Sequence, residues 1–277
     1  MLALTGPENR TRTNMPFDAK LRKLKSVVKA CESAVIAFSG GVDSSVVCAV
    51  SKEVLGDHVV AVTAVSQTYP PGELENAKSM ARAIGIKLYV IKTDELKNPD
   101  FYKNPKERCY YCKRELLKRL DEIRFKLGFK NIFDGTNRGD LSDFRPGLRA
   151  LREFGVISPL AEAGLTKKEV RKLAARYGLP NAEKPANPCL ASRIPFGQEI
   201  TAEKLKRIAG GEKILRSLGF RVVRVRDHGT LARIEVGKEE LPRAIVLEKR
   251  IISALKKLSY KSVEIDRRGY RTGGANL

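Results

Sequence analysis

Apolar residues recur every three to four positions over residues 18–31, with Leu21, Leu24, Val27 and Val28 on one face. That spacing predicts an amphipathic helix. The next apolar run, Ala34 to Phe38, is short and unbroken, which predicts a buried strand over 33–38. A helix is expected over 43–55, then an apolar strand from His58 to Val65. Glu73 to Ile84 has a helical pattern, closed by Gly85 where a helix-ending glycine belongs. Lys87 to Ile91 is expected to be a third strand, followed by a helix from about Lys113 to Leu127 and a short strand from Asn131 to Phe133. Strands alternating with helices predict an α/β fold, a parallel sheet wrapped by helices. Its ligands should gather at the carboxyl ends of the strands.

The pattern changes between Tyr177 and Gly197. Pro180, Pro185, Pro188 and Pro195 exclude a helix or a central strand there, so a rigid loop is expected. Beyond it come a helix over 201–218, strands near 220–227 and 230–236, a helix over 239–257 and a strand over 261–266. This order predicts a smaller C-terminal α+β domain. The expected organisation is a polar tail at 1–17, a nucleotide domain at 18–190 and a substrate domain at 191–277, with Met15 an alternative start to Met1.

The richest chemistry follows the first strand. Residues 39–45 read Ser-Gly-Gly-Val-Asp-Ser-Ser. Glycine lets the backbone turn with positive φ and approach an anion closely. Free amides of the turn and of the helix N-terminus then point at one spot, with the helix dipole behind them. Ser39, Ser44 and Ser45 add hydroxyls, and the site suits a pyrophosphate. No lysine follows the glycines, so the Walker pattern is absent. The motif resembles that of the PP-loop ATP pyrophosphatases, which cleave ATP between its α and β phosphates.

Charge and cysteine content narrow the setting. The chain of 277 residues carries 53 basic and 32 acidic side chains, a net +21. That favours anionic partners such as nucleotides, phosphorylated metabolites or RNA; a heat-adapted, lysine- and arginine-rich surface is the competing reading. Aromatic residues are only 6%, with no stacking platform for single-stranded nucleic acid. No run of 18 apolar residues suggests a membrane span. Five cysteines and no secretion signal argue against a disulfide framework and for a cytoplasmic setting.

Cys31 and Cys48 lie in apolar helical contexts and read as core residues. Cys109 and Cys112 form C-x-x-C just before a predicted helix, and Cys189 lies in Pro-Cys-Leu-Ala-Ser-Arg. Three thiolates suit a [4Fe-4S] cluster with one iron left open. A reactive Cys189, its thiolate stabilised by Arg193, is the alternative.

A PP-loop followed by C-x-x-C and then Pro-Cys-Leu-Ala-Ser-Arg resembles the LarE family of sulfur transferases. Asp134-Gly-Thr-Asn, Asp143-Phe-Arg-Pro-Gly, Arg224-Val-Arg and Gly269-Tyr-Arg-Thr-Gly add to the resemblance, which spans residues 18 to 277. It implies a PP-loop fold of the adenine nucleotide alpha hydrolase type. It also implies adenylation by ATP of a carboxylate on a pyridinium dicarboxylate mononucleotide. Sulfur then displaces AMP to give a thiocarboxylate, a step toward the nickel-pincer nucleotide cofactor. Carried onto this chain, Ser39, Gly40, Gly41, Asp43, Ser44, Gly135 and Thr136 would hold ATP and Mg²⁺. Ser192, Arg193, Arg224 and Arg226 would hold the substrate, and Cys109, Cys112 and Cys189 the [4Fe-4S] cluster with its transferable sulfide. The resemblance further implies a homo-oligomer, a sulfide donor and no nucleic-acid partner. Sacrifice of the Cys189 sulfur is the alternative within the family. Outside it stand a tRNA-thiolating PP-loop enzyme, an amide-forming synthetase and a nucleotide-binding iron–sulfur sensor.

Overall fold

A computed structural model of the chain describes residues 15–142, 145–185 and 187–271. The tail before Met15, Asp143 and Phe144 of the Asp-Phe-Arg-Pro-Gly segment, and the last residues of the terminal motif lie outside the described residues. The chain opens with α1 (Phe17–Ala30), β1 (Ala34–Ala37), α2 (Val42–Leu55), β2 (Val59–Val65), α3 (Glu73–Ile84) and β3 (Leu88–Lys92). Next come α4 (Pro99–Tyr102), α5 (Arg108–Lys126), β4 (Asn131–Phe133), α6 (Gly147–Glu153), α7 (Pro159–Glu162) and α8 (Lys167–Arg176). After the proline-rich stretch lie α9 (Ala202–Ser217), β5 (Val223–His228), β6 (Leu231–Val236), α10 (Leu241–Val246), α11 (Glu248–Lys256) and β7 (Ser262–Ile265).

The first four strands form one parallel sheet in the order β3-β2-β1-β4. β1 and β2 consist of Ala, Val, Ile and Thr and are covered on both faces, as central parallel strands must be. One face packs α2 and α8 through Val46, Val50, Val170 and Leu173. The other packs α5 and α6 through Leu117, Leu120, Ala150 and Leu151. The last three strands form a separate sheet, β5-β6-β7, antiparallel then parallel.

Most expected elements are present within a few residues, and three differences matter. The helix expected from Lys113 begins at Arg108, so the C-x-x-C lies inside its first turns. The helix expected over 239–257 is interrupted: a 3₁₀ turn at Lys238–Glu240 precedes α10, and Leu247 separates α10 from α11. Helices α6, α7 and α8 are additional to the expected elements; α8 is opened by a reciprocal cap between Thr166 and Glu169. Among the described residues, no helix is long and apolar enough to cross a membrane.

Two segments far apart in sequence are joined where the two sheets approach. Asn104, in a left-handed conformation (φ 58°), donates from its amide to the carbonyls of Pro195 (2.7 Å) and Gln198 (2.9 Å) and accepts from Arg108 (2.6 Å). Backbone amides of Gly197 and Ile200 donate back to Asn104 and Tyr102. Phe101 and Leu190 then enter the core beneath the second sheet. This seam brings the proline-rich stretch against the N-terminus of α5.

Candidate functional site

The loop after β1 is pre-shaped by its own serines. Ser39 Oγ lies 3.2 Å from Ser44 Oγ and accepts the Gly41 amide at 3.2 Å, while Ser44 donates to the Gly41 carbonyl at 3.1 Å. Gly40 adopts φ +70°, and a Cβ there would meet Ala77 Cα at 2.9 Å, so only glycine fits. Gly41 differs: its φ is −77°, it caps α2, and a Cβ would meet only Ser39 Oγ at 3.2 Å. Behind the loop, Asn181 donates to the Gly40 carbonyl and to Ser45 Oγ, both at 2.9 Å.

The loop after β4 closes on the same spot. A Cβ on Gly135 would meet the Ser44 amide at 2.9 Å, which explains a glycine in that position. Buried Asp134 accepts from the Thr136 hydroxyl (2.6 Å), the Thr136 amide (3.1 Å) and Ser158 (2.7 Å), and so fixes the turn. Asp43 accepts from Asn137 at 3.3 Å and pairs with Lys167 at the start of α8. Ser39, Gly41, Asp43, Ser44, Gly135 and Thr136 therefore line one cleft of about 400 Å³ at the carboxyl ends of the strands. Gly40 stands behind it.

Cys112 and Cys189 line that same cleft. Cys109 and Cys112 stand three apart on α5 and so share one face of its N-terminal turns. Cys109 is exposed; surrounding protein and the neighbouring Cys189 raise its thiol pKa, against the pull of Arg108 and Arg145. Burial, followed by Glu95, Cys189 and Cys109, holds the Cys112 thiol well above the ordinary range. Cys189 is thus near enough to both cysteines of α5 to act on them electrostatically. Among the described residues, no three His, Cys, Asp or Glu side chains stand in a metal-binding arrangement. Cys48 is fully buried, and Cys31 donates to the Val27 carbonyl at 3.2 Å; both lie in or against the core.

The three arginines lie inside the protein, and Arg193 and Arg226 are taken up by protein partners. Arg193 is 0% exposed. It pairs with Glu212 at 2.8 Å and donates to the carbonyls of Pro188 (2.6 Å) and Cys189 (3.0 Å) and to Asn187 (3.1 Å). Its guanidinium therefore organises the Cys189 turn. Ser192 reinforces the turn by donating to the Cys189 carbonyl at 2.8 Å. Arg226 is buried and donates to Glu235 (2.7 Å) and to the carbonyls of Ser192 and Arg271 (3.1 Å each). Arg224 stacks on Tyr270, its guanidinium 4.9 Å from the ring centre, and burial lowers its pKa. Of the three, Arg224 lines a cavity, about 410 Å³, together with Lys184, Arg216 and Arg221. Sequence reasoning missed these last three, and also Lys167, Asn181 and Glu212; each is an ordinary polar residue whose role appears only through long-range contact.

A parallel sheet carrying a Ser-Gly-Gly loop on a helix N-terminus, with an aspartate in the first turn, defines a PP-loop enzyme that uses ATP. A family model described as NAD synthase matches residues 18–107, which hold this loop. Near-complete relatives extend the match past the cysteines. An uncharacterized protein of Synechocystis sp. is 42% identical over 94% of this chain and 98% of its own length. The pyridinium-3,5-bisthiocarboxylic acid mononucleotide synthase of Lactiplantibacillus plantarum is 36% identical over 93% and 94%. An uncharacterized protein of Methanocaldococcus jannaschii is 33% identical over 93% and 100%. The chain belongs to the LarE family of PP-loop, ATP-dependent, adenylating sulfur transferases.

Proposed function

We propose that this enzyme activates a carboxylate of a pyridinium-3,5-dicarboxylate mononucleotide as its acyl-adenylate and converts it to a thiocarboxylate for the nickel-pincer nucleotide cofactor. The observation that carries the reading is that one cleft is lined by the PP-loop and by Cys112 and Cys189. Activation and sulfur delivery then share one reaction volume, and a reactive mixed anhydride need not cross solvent.

In the first step a carboxylate oxygen attacks the α-phosphorus of ATP, and pyrophosphate leaves. The amides at the start of α2 and the Ser39 and Ser44 hydroxyls bind the leaving pyrophosphate. Asp43 would hold Mg²⁺, which would offset phosphate charge, and Lys167, its ion-pair partner beside the loop, has the charge to face the phosphates. In the second step sulfur attacks the acyl carbon, and the C–O bond to AMP breaks. The carboxylate alone would expel oxide, a far poorer leaving group. The cavity of Lys184, Arg216, Arg221 and Arg224, opposed by Glu73, has the charge to take the anionic substrate.

Cys112 and Cys189 line the cleft and Cys109 stands three residues before Cys112 on α5; three thiolates of this kind are the donor type that would hold a [4Fe-4S] cluster. Such a cluster, when bound, would supply the sulfur that the second step consumes. Anaerobic reconstitution followed by iron quantification and intact mass spectrometry after turnover tests the reading. Iron lost on Ser substitution at any of the three cysteines but retained in Cys48→Ser, with unchanged polypeptide mass, is the expected result. Stoichiometric loss of hydrogen sulfide from Cys189, leaving dehydroalanine, overturns cluster delivery. Absence of ATP-to-AMP turnover with the carboxylate nucleotide overturns the whole assignment.

A further inference from the structure

A second cavity, about 710 Å³, lies beyond the carboxyl ends of β2 and β3, where Val65 and Lys92 line it. It meets the nucleotide cleft at two shared residues, Ser66 and Glu95. Tyr111, between the two cysteines of C-x-x-C, lines this second cavity, whereas Cys112 lines the cleft. The start of α5 therefore borders both spaces.

Glu95 marks the junction. It is 7% exposed, and its Oε1 accepts from the Thr93 hydroxyl at 2.8 Å. Its Oε2 is buried with no hydrogen-bond partner. A carboxylate oxygen withdrawn from water without a donor is costly. Such an atom at the meeting of two cavities points to a ligand that brings its own donor.

Charge indicates what kind of ligand this is. In the second cavity Lys92, Lys97 and Arg119 are matched by Asp94, Glu95 and Glu115. Lys97 pairs with Asp94 at 3.2 Å and Arg119 with Glu115 at 3.4 Å. An anionic nucleotide gains little there compared with the cavity of Arg224, where four cations face one carboxylate. At about 400 Å³ the cleft itself is at the small end of ligand sites, so bound ATP fills it. Sulfur then needs another way in.

We infer that the second cavity is the port by which hydrogen sulfide, a small neutral S–H donor, reaches the cysteine end of the cleft while nucleotide occupies it, with Glu95 Oε2 accepting the S–H at the junction. This deepens the proposed function and rests on its reading that the transferred sulfur comes from outside the chain.

Two measurements test it. The first follows labelling of the cluster-free, full-length chain by methyl methanethiosulfonate, read cysteine by cysteine by peptide mass spectrometry. With saturating α,β-methylene ATP in the cleft, Cys189 should be protected tenfold or more and Cys112 less than twofold. Gln67→Trp, at an exposed residue lining only the second cavity, should slow nucleotide-bound Cys112 labelling about tenfold. Lys97→Trp, also exposed, should do the same and guards against misfolding of the first variant; circular dichroism checks both. Equal protection of Cys112 and Cys189 in the wild type, or wild-type labelling in both variants, overturns the port. The second measurement is steady-state turnover of reconstituted enzyme with sodium sulfide. Gln67→Trp should raise the KM for sulfide about tenfold with kcat and the ATP KM within twofold. A raised ATP KM with an unchanged sulfide KM would reassign the cavity to nucleotide. Labelling needs no sulfur transfer, so the two failures are distinguishable: dehydroalanine at Cys189 alongside the expected labelling would overturn external sulfur delivery, and with it the sulfide role of the port, while the open path to Cys112 would stand.

Discussion

Arg193→Ala separates two jobs that one side chain performs. The guanidinium neutralises Glu212 in a fully buried pair, and it holds three groups of the Cys189 turn: the carbonyls of Pro188 and Cys189 and the Asn187 amide oxygen. Removing one partner of a buried pair costs about 3–5 kcal/mol, because the other charge is left without compensation. Glu212 keeps Arg216 at 3.2 Å and the Val225 amide at 3.4 Å, so the cost falls at the lower end, about 3 kcal/mol. With a urea slope of about 2 kcal/mol per molar, the unfolding midpoint drops by about 1.5 M. The chain has no tryptophan, so tyrosine fluorescence and far-ultraviolet circular dichroism are the probes. The paired variant Arg193→Met, Glu212→Leu replaces both charges with apolar groups of similar bulk. It should recover stability to within about 1 kcal/mol of wild type, since a buried ion pair contributes little beyond a hydrophobic contact. Activity should not recover, because the turn carrying Cys189 has lost its donors in both variants. A single variant within about 0.5 kcal/mol of wild type would refute the burial argument. A paired variant with wild-type sulfur transfer would refute the positioning role.

The chain discloses its chemistry more readily than its geometry. The Ser-Gly-Gly-Val-Asp-Ser-Ser run is legible because a phosphate-binding turn needs glycine conformations and clustered donors within seven consecutive residues. β1 and β2 are legible because strands buried on both faces are apolar throughout. The start of α5 was hidden: Arg108-Cys-Tyr-Tyr-Cys-Lys has no apolar periodicity, and its position is set by Asn104 bonding to residues about ninety positions away. α8 was hidden for a related reason. Val170, Leu173 and Ala174 form a narrow apolar stripe among lysines and arginines, and its significance comes from the sheet it covers. The arginines show the limit most plainly. Arg193, Arg224 and Arg226 were singled out by motif, but only tertiary structure shows Arg193 paired with Glu212 and Arg226 with Glu235 inside the protein.

The two glycines of the loop should behave differently. Gly40→Ala collides with the backbone of Ala77 and is expected to lower stability by several kcal/mol in thermal unfolding. Gly41→Ala, at negative φ with only Ser39 Oγ nearby, should fold normally and weaken ATP binding about tenfold by calorimetry, roughly 1.4 kcal/mol. Lys167→Ala removes a partly exposed ion pair worth at most about 1 kcal/mol of stability, yet it should cut ATP-to-AMP turnover at least tenfold. Equal loss of stability and turnover would instead mark Lys167 as structural. The last expectation concerns alkaline pH. Burial drives the Cys48 thiol far above its ordinary range, and Tyr260 is raised by burial and by Asp227, whose carboxylate accepts its hydroxyl at 3.0 Å. In the unfolded chain these groups lose protons near pH 8.5 and pH 10. Folded-state values raised above the unfolded ones mean that the folded chain keeps protons the unfolded chain releases. Their stabilising contribution is therefore complete below about pH 8.5 and declines as pH rises toward the folded-state values. Urea midpoints measured from pH 7 to pH 10.5 should fall steadily over the upper half of that range. Cys48→Ala, lower in stability throughout because of the lost packing, should show a shallower fall over the same range, since the raised thiols of Cys109 and Cys112 still contribute from about pH 8.5. Identical slopes in wild type and Cys48→Ala would mean that Cys48 titrates alike folded and unfolded, which its complete burial in α2 forbids.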